Sequence, residues 1–254
     1  MADQSEVKFS IQNQTAIVTL NRPEIHNAVN EAVMDQLESI LSEIEQDKEI
    51  RSMILTGSGD KTFCAGGDLA FFAELTTRME GQQVSERMQA ILDRIWNSNK
   101  VSIAAVNGQA LGGGCEILTA CHFRIAAKHA TLCYRQAKNG IITGWGGGVR
   151  LFQLIGRQRG LRLLLTSESV NVEQAYKMGL VDFIVDSDQL LPASMEFAEK
   201  IQRNSRETNS AFLQIARSFG NTELEQTKSL EKEAFLDLWV SNEFRQFLKR
   251  FVKE

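Results

Sequence analysis

Three glycine-rich segments are the places in this sequence where the backbone itself could do chemistry. They are FCAGGD at residues 63–68, GGGCE at 112–116 and GWGGG at 144–148. Glycine lets the backbone approach a ligand closely and turn its N–H groups outward. Two N–H groups that converge on one oxygen form an oxyanion hole, which stabilises negative charge as it develops on a carbonyl. A single glycine run is a weak signal, because it can also serve only to turn the chain.

None of these segments has the form of a nucleotide-binding loop. No Gly-Lys-Ser/Thr follows any of them, and no GxGxxG opens a helix after the first strand. The cysteines Cys64, Cys115, Cys121 and Cys133 have no CxxC spacing, and one metal could hardly bind both Cys121 and its neighbour His122. We therefore expect no metal site, and we expect reduced, mostly buried thiols.

Glu116 is an acidic side chain at the end of one of the glycine segments. It lies three residues after Gly113, in the first turn of the helix that the triple glycine is predicted to open. A carboxylate there also compensates the positive end of a helix dipole, and one residue could serve both purposes. Asp68 is expected to cap the helix that follows it. His122 and His129 are expected at the edge of the fold, without a catalytic role.

The spacing of apolar residues predicts an α/β fold that would position these loops. Residues 7–20 alternate around a Gln-Asn-Gln break, which is typical of a hairpin, and an amphipathic helix begins near Asn30. Strands that alternate with helices favour a parallel sheet built through crossover connections. The further predicted strands span 52–56, 101–106 and 123–126. Beyond Gly146 the predicted helices span 151–166, 172–178, 190–201, 211–219, 224–240 and 243–251, with one strand at 181–185.

The composition is that of a globular protein and argues against several partners. The chain has 254 residues, with 28 Lys and Arg against 32 Asp and Glu, and a formal net charge of −4. This balance gives no electrostatic footprint for nucleic acid. The sequence has no apolar stretch of about 18 residues and no basic and apolar leader at its start. We therefore expect a cytoplasmic protein that does not enter a membrane.

Four motifs, in their order and spacing, resemble the enoyl-CoA hydratase/isomerase (crotonase) superfamily. They are LNRPEIHNAVN at 20–30, FCAGGD, the stretch from Val106 through GGGCE, and the Trp145 loop ending in Arg150-Leu151. The resemblance covers roughly residues 7–190. It implies a spiral of ββα units over residues 1–190 and a helical trimerisation region over 191–254. It also implies a homotrimer or hexamer that binds an acyl-CoA thioester, with no cofactor besides the coenzyme A of the substrate.

The resemblance further implies roles for individual residues. The N–H groups of Gly67 and Gly113 would hold the thioester oxygen, and Glu116 would stand for one of the two glutamates of the hydratases. His26 and Asn27 lie in the loop that touches coenzyme A in this family, with a solvated loop as the alternative. Other expected substrate contacts are Ala65, Asp68, Gly112 and Trp145. Apart from the resemblance, the helix after FCAGGD offers Phe72, Leu75 and Met79 as lining. The charged residues Lys249, Arg250 and Lys253 could meet the coenzyme A phosphates, with a solvated C-terminus as the alternative.

The second hydratase glutamate is replaced in this chain. Its position, four residues before Gly140, holds Gln136. Hydration of a conjugated double bond needs one group to take a proton and another to deliver one, and a neutral amide does neither. A substrate with its own carboxylate would be repelled by glutamate at 4 Å, by about 1 kcal/mol in water and about 4 at an effective dielectric of 20. Glutamine removes that repulsion and can donate a hydrogen bond.

The segment GIITGWGG at 140–147, together with Gln136, resembles the ethylmalonyl-CoA and methylmalonyl-CoA decarboxylase branch of the superfamily. Trp239, followed nine residues later by Leu248, is similar to the C-terminal region of that branch. This resemblance implies decarboxylation of a short branched malonyl-CoA-type thioester, with Gln136 orienting the leaving carboxylate. Two alternatives stay open: an enoyl-CoA hydratase that uses Glu116 alone, and a crotonase-fold binding protein that has lost catalysis.

The C-terminal helices carry apolar residues that could be covered by neighbouring subunits. The alternative is that these residues pack only on their own core. The set comprises Phe235, Leu236, Leu238, Trp239, Phe244, Phe247, Leu248 and Phe251.

Overall fold

Ten strands form two sheets in residues 5–218 and 221–251, the part of the chain that the computed structural model describes. The side chains of residues 218 and 221–226 are not described. The strands are β1 (Val7–Gln12), β2 (Thr15–Leu20), β3 (Ser52–Gly57), β4 (Thr62–Cys64), β5 (Val101–Val106), β6 (Gln109–Leu111), β7 (Phe123–Ala127), β8 (Thr131–Cys133), β9 (Ser169–Asn171) and β10 (Phe183–Val185).

Eleven α-helices connect and cover these strands within the same residues. They are α1 (Glu31–Gln46), α2 (Leu69–Glu74), α3 (Arg78–Trp96), α4 (Gly113–Ala120), α5 (Gly147–Ile155), α6 (Arg157–Thr166), α7 (Val172–Met178), α8 (Leu190–Gln202), α9 (Arg206–Ser218), α10 (Asn221–Trp239) and α11 (Asn242–Leu248).

The chain visits the two sheets in turn. One sheet has the order β1-β2-β3-β5-β7-β10 and the other the order β4-β6-β8-β9. The β1–β2 hairpin and the β8–β9 pair are antiparallel, whereas the other pairs are parallel. A strand of the first sheet, a strand of the second and then helical structure make one turn of a spiral. This is the predicted arrangement of ββα units, followed by the predicted C-terminal helices.

Both faces of the central strands β3 and β5 are buried, which explains why apolar residues point to either side of them. Met53 and Leu55 of β3 face the main core with α1 and α3, whereas Ile54 packs with Met195 of α8 on the other face. Helix α8 begins at the predicted boundary near residue 190 and covers this sheet. The division into residues 1–190 and 191–254 stays a prediction.

The second sheet is the part of the fold that the sequence pattern did not predict. Each of its strands has three residues, too few to display the alternation by which a strand is recognised. The single helix predicted at 151–166 is wrong. Gly156, at a φ of +80°, separates α5 from α6. The helix predicted at 211–219 begins earlier, at Arg206, and Phe219 lies outside the described residues.

Aromatic residues of the C-terminal helices are covered by their own chain. Trp239 is fully buried, and Phe235, Leu236, Phe244 and Leu248 are buried as well. The expectation that these residues offer surface to other subunits is therefore wrong for these five, because they complete the core of the chain that carries them. Leu238 and Phe247 are half-buried, and Phe251 is 37% exposed.

Two further expectations concern the cysteines and the membrane. All four cysteines are buried, as predicted, and none forms a disulfide. Within the described ranges, no helix combines the length and apolar character that crossing a bilayer requires.

Candidate active site

A cavity of about 590 Å³ opens where the three glycine segments meet. Gly67, Gly113, Glu116, Gln136 and Trp145 all line it. The first two segments lie against each other, since a Cβ on Gly66 would be 2.7 Å from the backbone N of Gly113. The structure thus brings together both predicted oxyanion donors and both members of the unequal Glu/Gln pair.

The N–H groups of Gly67 and Gly113 are placed to serve a ligand. Val29 bridges to the segment around Gly67 by donating to the carbonyl of Gly66 and accepting from the N–H of Asp68, so the N–H of Gly67 takes no part in that ladder. Gly113 is the first residue of α4, where an N–H has no acceptor within its own helix. Their role as oxyanion donors stays a prediction.

No side chain fits at either glycine without a rearrangement. A Cβ on Gly67 would lie 2.3 Å from the ring of Phe72, and one on Gly113 would lie 2.3 Å from the ring of Trp145. The two aromatic rings therefore pack directly on these two peptides. They give the cavity an apolar wall there, and electrostatic interactions are stronger in apolar surroundings than in water.

The carboxylate of Glu116 is buried, with 2% of the residue exposed. It accepts hydrogen bonds from the N–H groups of Trp145 at 2.8 Å, Gly147 at 3.0 Å and Gly144 at 3.4 Å, and from Nε2 of Gln136 at 3.1 Å. Burial raises the pKa of Glu116, while the backbone donors oppose that rise. The predicted acid is thus bound to the third glycine segment.

Gln136 is 8% exposed and offers a ligand an unsatisfied group. One N–H of its amide donates to Glu116, which leaves the second N–H for another acceptor. Its Oε1 is buried and has no hydrogen-bond partner among the described residues. Buried polar atoms are nearly always satisfied, so a substrate or water is the expected partner of this oxygen.

Asp68 caps α2, as predicted. Its Oδ1 accepts from the N–H groups of Ala70 at 3.0 Å and Phe71 at 3.4 Å, and its Oδ2 pairs with Arg22 at 3.0 Å. Although Asp68 also lines the cavity, these contacts occupy both carboxylate oxygens.

Asp68→Asn should therefore keep turnover within about twofold, because asparagine caps a helix as well as aspartate does. Asp68→Ala should lower the free energy of unfolding by about 1 kcal/mol. Urea denaturation and steady-state kinetics of both variants would test this. A hundredfold loss of turnover in a natively folded Asp68→Asn variant would instead make Asp68 a catalytic base.

The predicted substrate contacts divide into residues on the cavity wall and one that lies elsewhere. His26, Ala65 and Gly112 line the cavity. Asn27 does not: it is 1% exposed, and its amide donates to the carbonyls of Ser58 at 3.0 Å and Thr62 at 2.7 Å. Its side chain holds the loop together, so neither the contact with coenzyme A nor the solvated alternative describes its position.

Some of the remaining candidates lie away from the cavity. Phe72 lines it, whereas Leu75 does not and Met79 is 66% exposed. Lys249 and Arg250 are exposed and do not line it, and Lys253 lies outside the described residues.

Neither His122 nor His129 lines the cavity. His122 is bound to Ser102, and burial lowers its pKa to about 4. His129 contacts Ser187 and the carbonyl of Asp60.

The C-terminal helices close one side of the cavity, which the motif analysis missed. Phe235, Phe244, Phe247 and Phe251 line it. Trp239 supports this wall, with ring centroids 5.2 Å from Phe72 and 5.4 Å from both Phe235 and Phe244. The high density of aromatic residues in this segment is the sequence feature that could have predicted this wall. The sequence analysis connects that density with subunit assembly instead.

Comparison with known proteins agrees with the motifs. A sequence model of the enoyl-CoA hydratase/isomerase family matches residues 10–254. The chain is 32% identical to a short-chain-enoyl-CoA hydratase of Clostridium acetobutylicum over 96% of this chain and 93% of that protein. It is 31% identical to an ethylmalonyl-CoA decarboxylase of Xenopus tropicalis over 90% of this chain and 77% of that protein.

A solved structure extends the match to three dimensions. The enoyl-CoA hydratase of Bacillus anthracis superimposes with a TM-score of 0.82 at 30% identity, over 89% of this chain and 90% of that one. Together with the family match, which spans nearly the whole sequence, these similarities establish that the chain belongs to the enoyl-CoA hydratase/isomerase family of the crotonase superfamily.

Proposed function

We propose that this protein decarboxylates a short branched malonyl-CoA-type thioester through an enolate. The observation that carries the proposal is the pair at the centre of the cavity, in which Glu116 is an acid and Gln136, 3.1 Å away, is an amide. A family hydratase with two glutamates would place two negative charges there. One neutral amide leaves room for the carboxylate that the substrate brings.

The proposed reaction breaks the bond between the α-carbon and the carboxylate of the substrate. The electron pair of that bond moves into the thioester, carbon dioxide leaves, and the negative charge appears on the thioester oxygen. The N–H groups of Gly67 and Gly113 would hold that oxygen, and each such donor is worth about 3–4 kcal/mol in the transition state. The enolate then takes a solvent proton at the α-carbon, delivered through water that the Glu116 carboxylate would orient.

Gln136 would orient the leaving carboxylate with the N–H that Glu116 does not use. The aromatic wall of Phe235, Phe244 and Trp145 would pack against the short alkyl branch of the acyl group, while its carboxylate would face Gln136. The reaction needs no cofactor beyond the coenzyme A of the substrate. A cytoplasmic location is part of the same proposal.

A second candidate is an enoyl-CoA hydratase that uses Glu116 alone. It is favoured by the name of the Clostridium relative, which is 32% identical to this chain. The missing second acid should then cost on the order of 10²–10⁴ in rate. A non-catalytic binding protein is disfavoured because Gly67, Gly113 and the buried acid Glu116 all line one cavity.

A panel of thioesters separates these candidates. Crotonyl-, methylmalonyl-, ethylmalonyl- and methylglutaconyl-CoA would each be followed for hydration by absorbance and for carbon dioxide release. We expect release from the malonyl-type thioesters and slow hydration of crotonyl-CoA. Hydration at a typical enzymatic rate of about 10 s⁻¹ or more, without carbon dioxide release from any substrate, would refute the decarboxylase.

We also propose that the chain assembles as a trimer or a pair of trimers. The buried aromatic residues of α10 and α11 do not support this assembly, but α9 exposes Phe212 by 67% and Ile215 by 64% on one side of the helix. Exposed apolar residues clustered on one face are typical of an interaction surface. Light scattering at micromolar concentration should give three or six times the 28.4 kDa of the chain, and a monomer mass would contradict the proposal.

A further inference from the structure

Glu231, on α10, is a buried acid beside the candidate site that the proposed reaction does not use. It is 9% exposed, and its Oε1 accepts from the hydroxyl of Thr143 and, at 2.9 Å, from the N–H of Gly148. It does not line the cavity. Its other oxygen, Oε2, is buried without a hydrogen-bond partner among the described residues.

Residues 143–148, the glycine loop, lie between two acids. From the cavity side, Glu116 accepts the N–H groups of residues 144, 145 and 147. From the other side, Glu231 accepts the hydroxyl of residue 143 and the N–H of residue 148. The first two residues of α5 therefore donate to different carboxyl groups. The N–H of Gly147 binds Glu116, and the N–H of Gly148 binds Glu231.

The fit between the loop and the acids is close on both sides. A Cβ on Gly147 would lie 2.3 Å from Cγ of Glu116, and one on Gly148 would lie 2.4 Å from Oε1 of Glu231. The carbonyl of Gly144 is fixed as well, by the hydroxyl of Ser85 at 2.6 Å. A small change at Glu231 would therefore pass through the loop to Glu116.

The charges around Glu116 and Glu231 favour a state in which only one of the two acids is ionised. Glu116 and Arg150 both face Glu231, and Arg150 pairs with Asp93 of α3 at 3.2 Å. Lys228 of α10 also binds Asp93, at 2.6 Å. Glu116 has four N–H donors, whereas Glu231 has an unsatisfied oxygen, so the charge is more stable on Glu116. Burial, and then the charge of Glu116, raises the pKa of Glu231 to about 8.

We propose that Glu231 is a positioning residue, which fixes the outer side of the glycine loop and thereby the N–H groups that orient Glu116. The inference rests on the proposed function for the role of Glu116, but the loop contacts stand without it. It makes the C-terminal helix α10 a part of the reaction centre, although no atom of Glu231 touches the cavity.

Two variants separate the hydrogen bonds of Glu231 from its volume. Glu231→Gln keeps a carbonyl oxygen for Thr143 and Gly148, so kcat and KM at pH 7 should stay within about twofold. Glu231→Leu keeps a similar volume but leaves a buried N–H without an acceptor. It should lower kcat by about tenfold or more, with KM nearly unchanged, because the residue does not touch the substrate.

The pH profile provides a readout that a merely structural role would not move. When Glu231 ionises, two carboxylates repel each other at the start of α5, and the loop is displaced. The kcat of the wild type should therefore fall through a transition near pH 8, and Glu231→Gln should lack that transition. The same transition in Glu231→Gln, or an unchanged kcat in folded Glu231→Leu, would overturn the proposal.

Folding stability gives an independent measure of the protonation state. The fold raises the pKa of Glu231 from 4.5 to about 8, so the native state binds a proton there that the unfolded state has released between these values. The contribution of this residue to the free energy of unfolding falls as pH rises through that window. The Tm of Glu231→Gln minus that of the wild type should therefore increase from pH 5 to pH 8. A constant difference would contradict a protonated Glu231.

Hydrogen exchange distinguishes failure of this inference from failure of the proposed function. Exchange of the amides of residues 144–148, followed by mass spectrometry, requires no substrate. These amides should stay protected in Glu231→Gln and exchange faster in Glu231→Leu. A wild type that releases no carbon dioxide but shows this pattern would refute the decarboxylase alone. Equal exchange in all three proteins would refute the positioning role alone.

Discussion

Replacing Gly113 by proline is expected to lower turnover by about 10²–10³-fold, because proline removes an N–H that would hold the enolate oxygen. Residue 113 is the first residue of α4, a position where proline is compatible with a helix. The measurement is kcat with the best thioester of the panel. A thermal melt would establish that the variant is folded.

The control for this variant is Gly113→Ala. Both replacements add a Cβ, for which the ring of Trp145 leaves no room. Alanine keeps the backbone N–H, whereas proline removes it. The donor role is therefore measured by the difference between the two variants. If the folded proline and alanine variants were equally active, the N–H of Gly113 would not be an oxyanion donor.

Gln136→Glu is expected to suppress decarboxylation and to increase hydration. The new carboxylate would lie about where the amide now donates to Glu116, at 3.1 Å, and would face the carboxylate of the substrate. Repulsion of about 1–4 kcal/mol at 4 Å corresponds to a loss of about 5-fold to 10³-fold in carbon dioxide release. The second acid should at the same time raise the rate of crotonyl-CoA hydration by about 10²–10⁴-fold.

Gln136→Met is the matched neutral control, since methionine has a similar length and no charge. It removes the donor to the substrate carboxylate without adding repulsion, so decarboxylation should fall less than in Gln136→Glu and hydration should not rise. A Gln136→Glu variant that releases carbon dioxide at the wild-type rate and gains no hydration would show that position 136 does not select the reaction.

The grouping of the candidate site residues around one cavity could be predicted because they lie in short, contiguous motifs. Gly67, Gly113 and Glu116 are fixed by the loops and helix start around them, and the spacing from Gly140 identified Gln136. Asn27 belongs to such a motif too. The sequence does not reveal, however, that its side-chain amide donates hydrogen bonds to the backbone carbonyls of Ser58 and Thr62.

Contacts made over long sequence distances could not be predicted in the same way. Glu231 lies 88 residues after its partner Thr143, on a helix whose pattern gives no special meaning to one glutamate. The wall formed by Phe235 and Phe244 depends on how α10 and α11 fold back over the cavity. Apolar periodicity shows that a face is buried but not which surface buries it.

The central claim is that this protein releases carbon dioxide from a malonyl-type thioester and stabilises the resulting enolate. The product formed from ethylmalonyl-CoA in D₂O tests this claim most directly. Mass spectrometry should find butyryl-CoA with one deuterium at the α-carbon for each carbon dioxide released, because the enolate takes its proton from solvent. Unchanged ethylmalonyl-CoA, from a preparation that hydrates crotonyl-CoA at about 10 s⁻¹ or more, would contradict it.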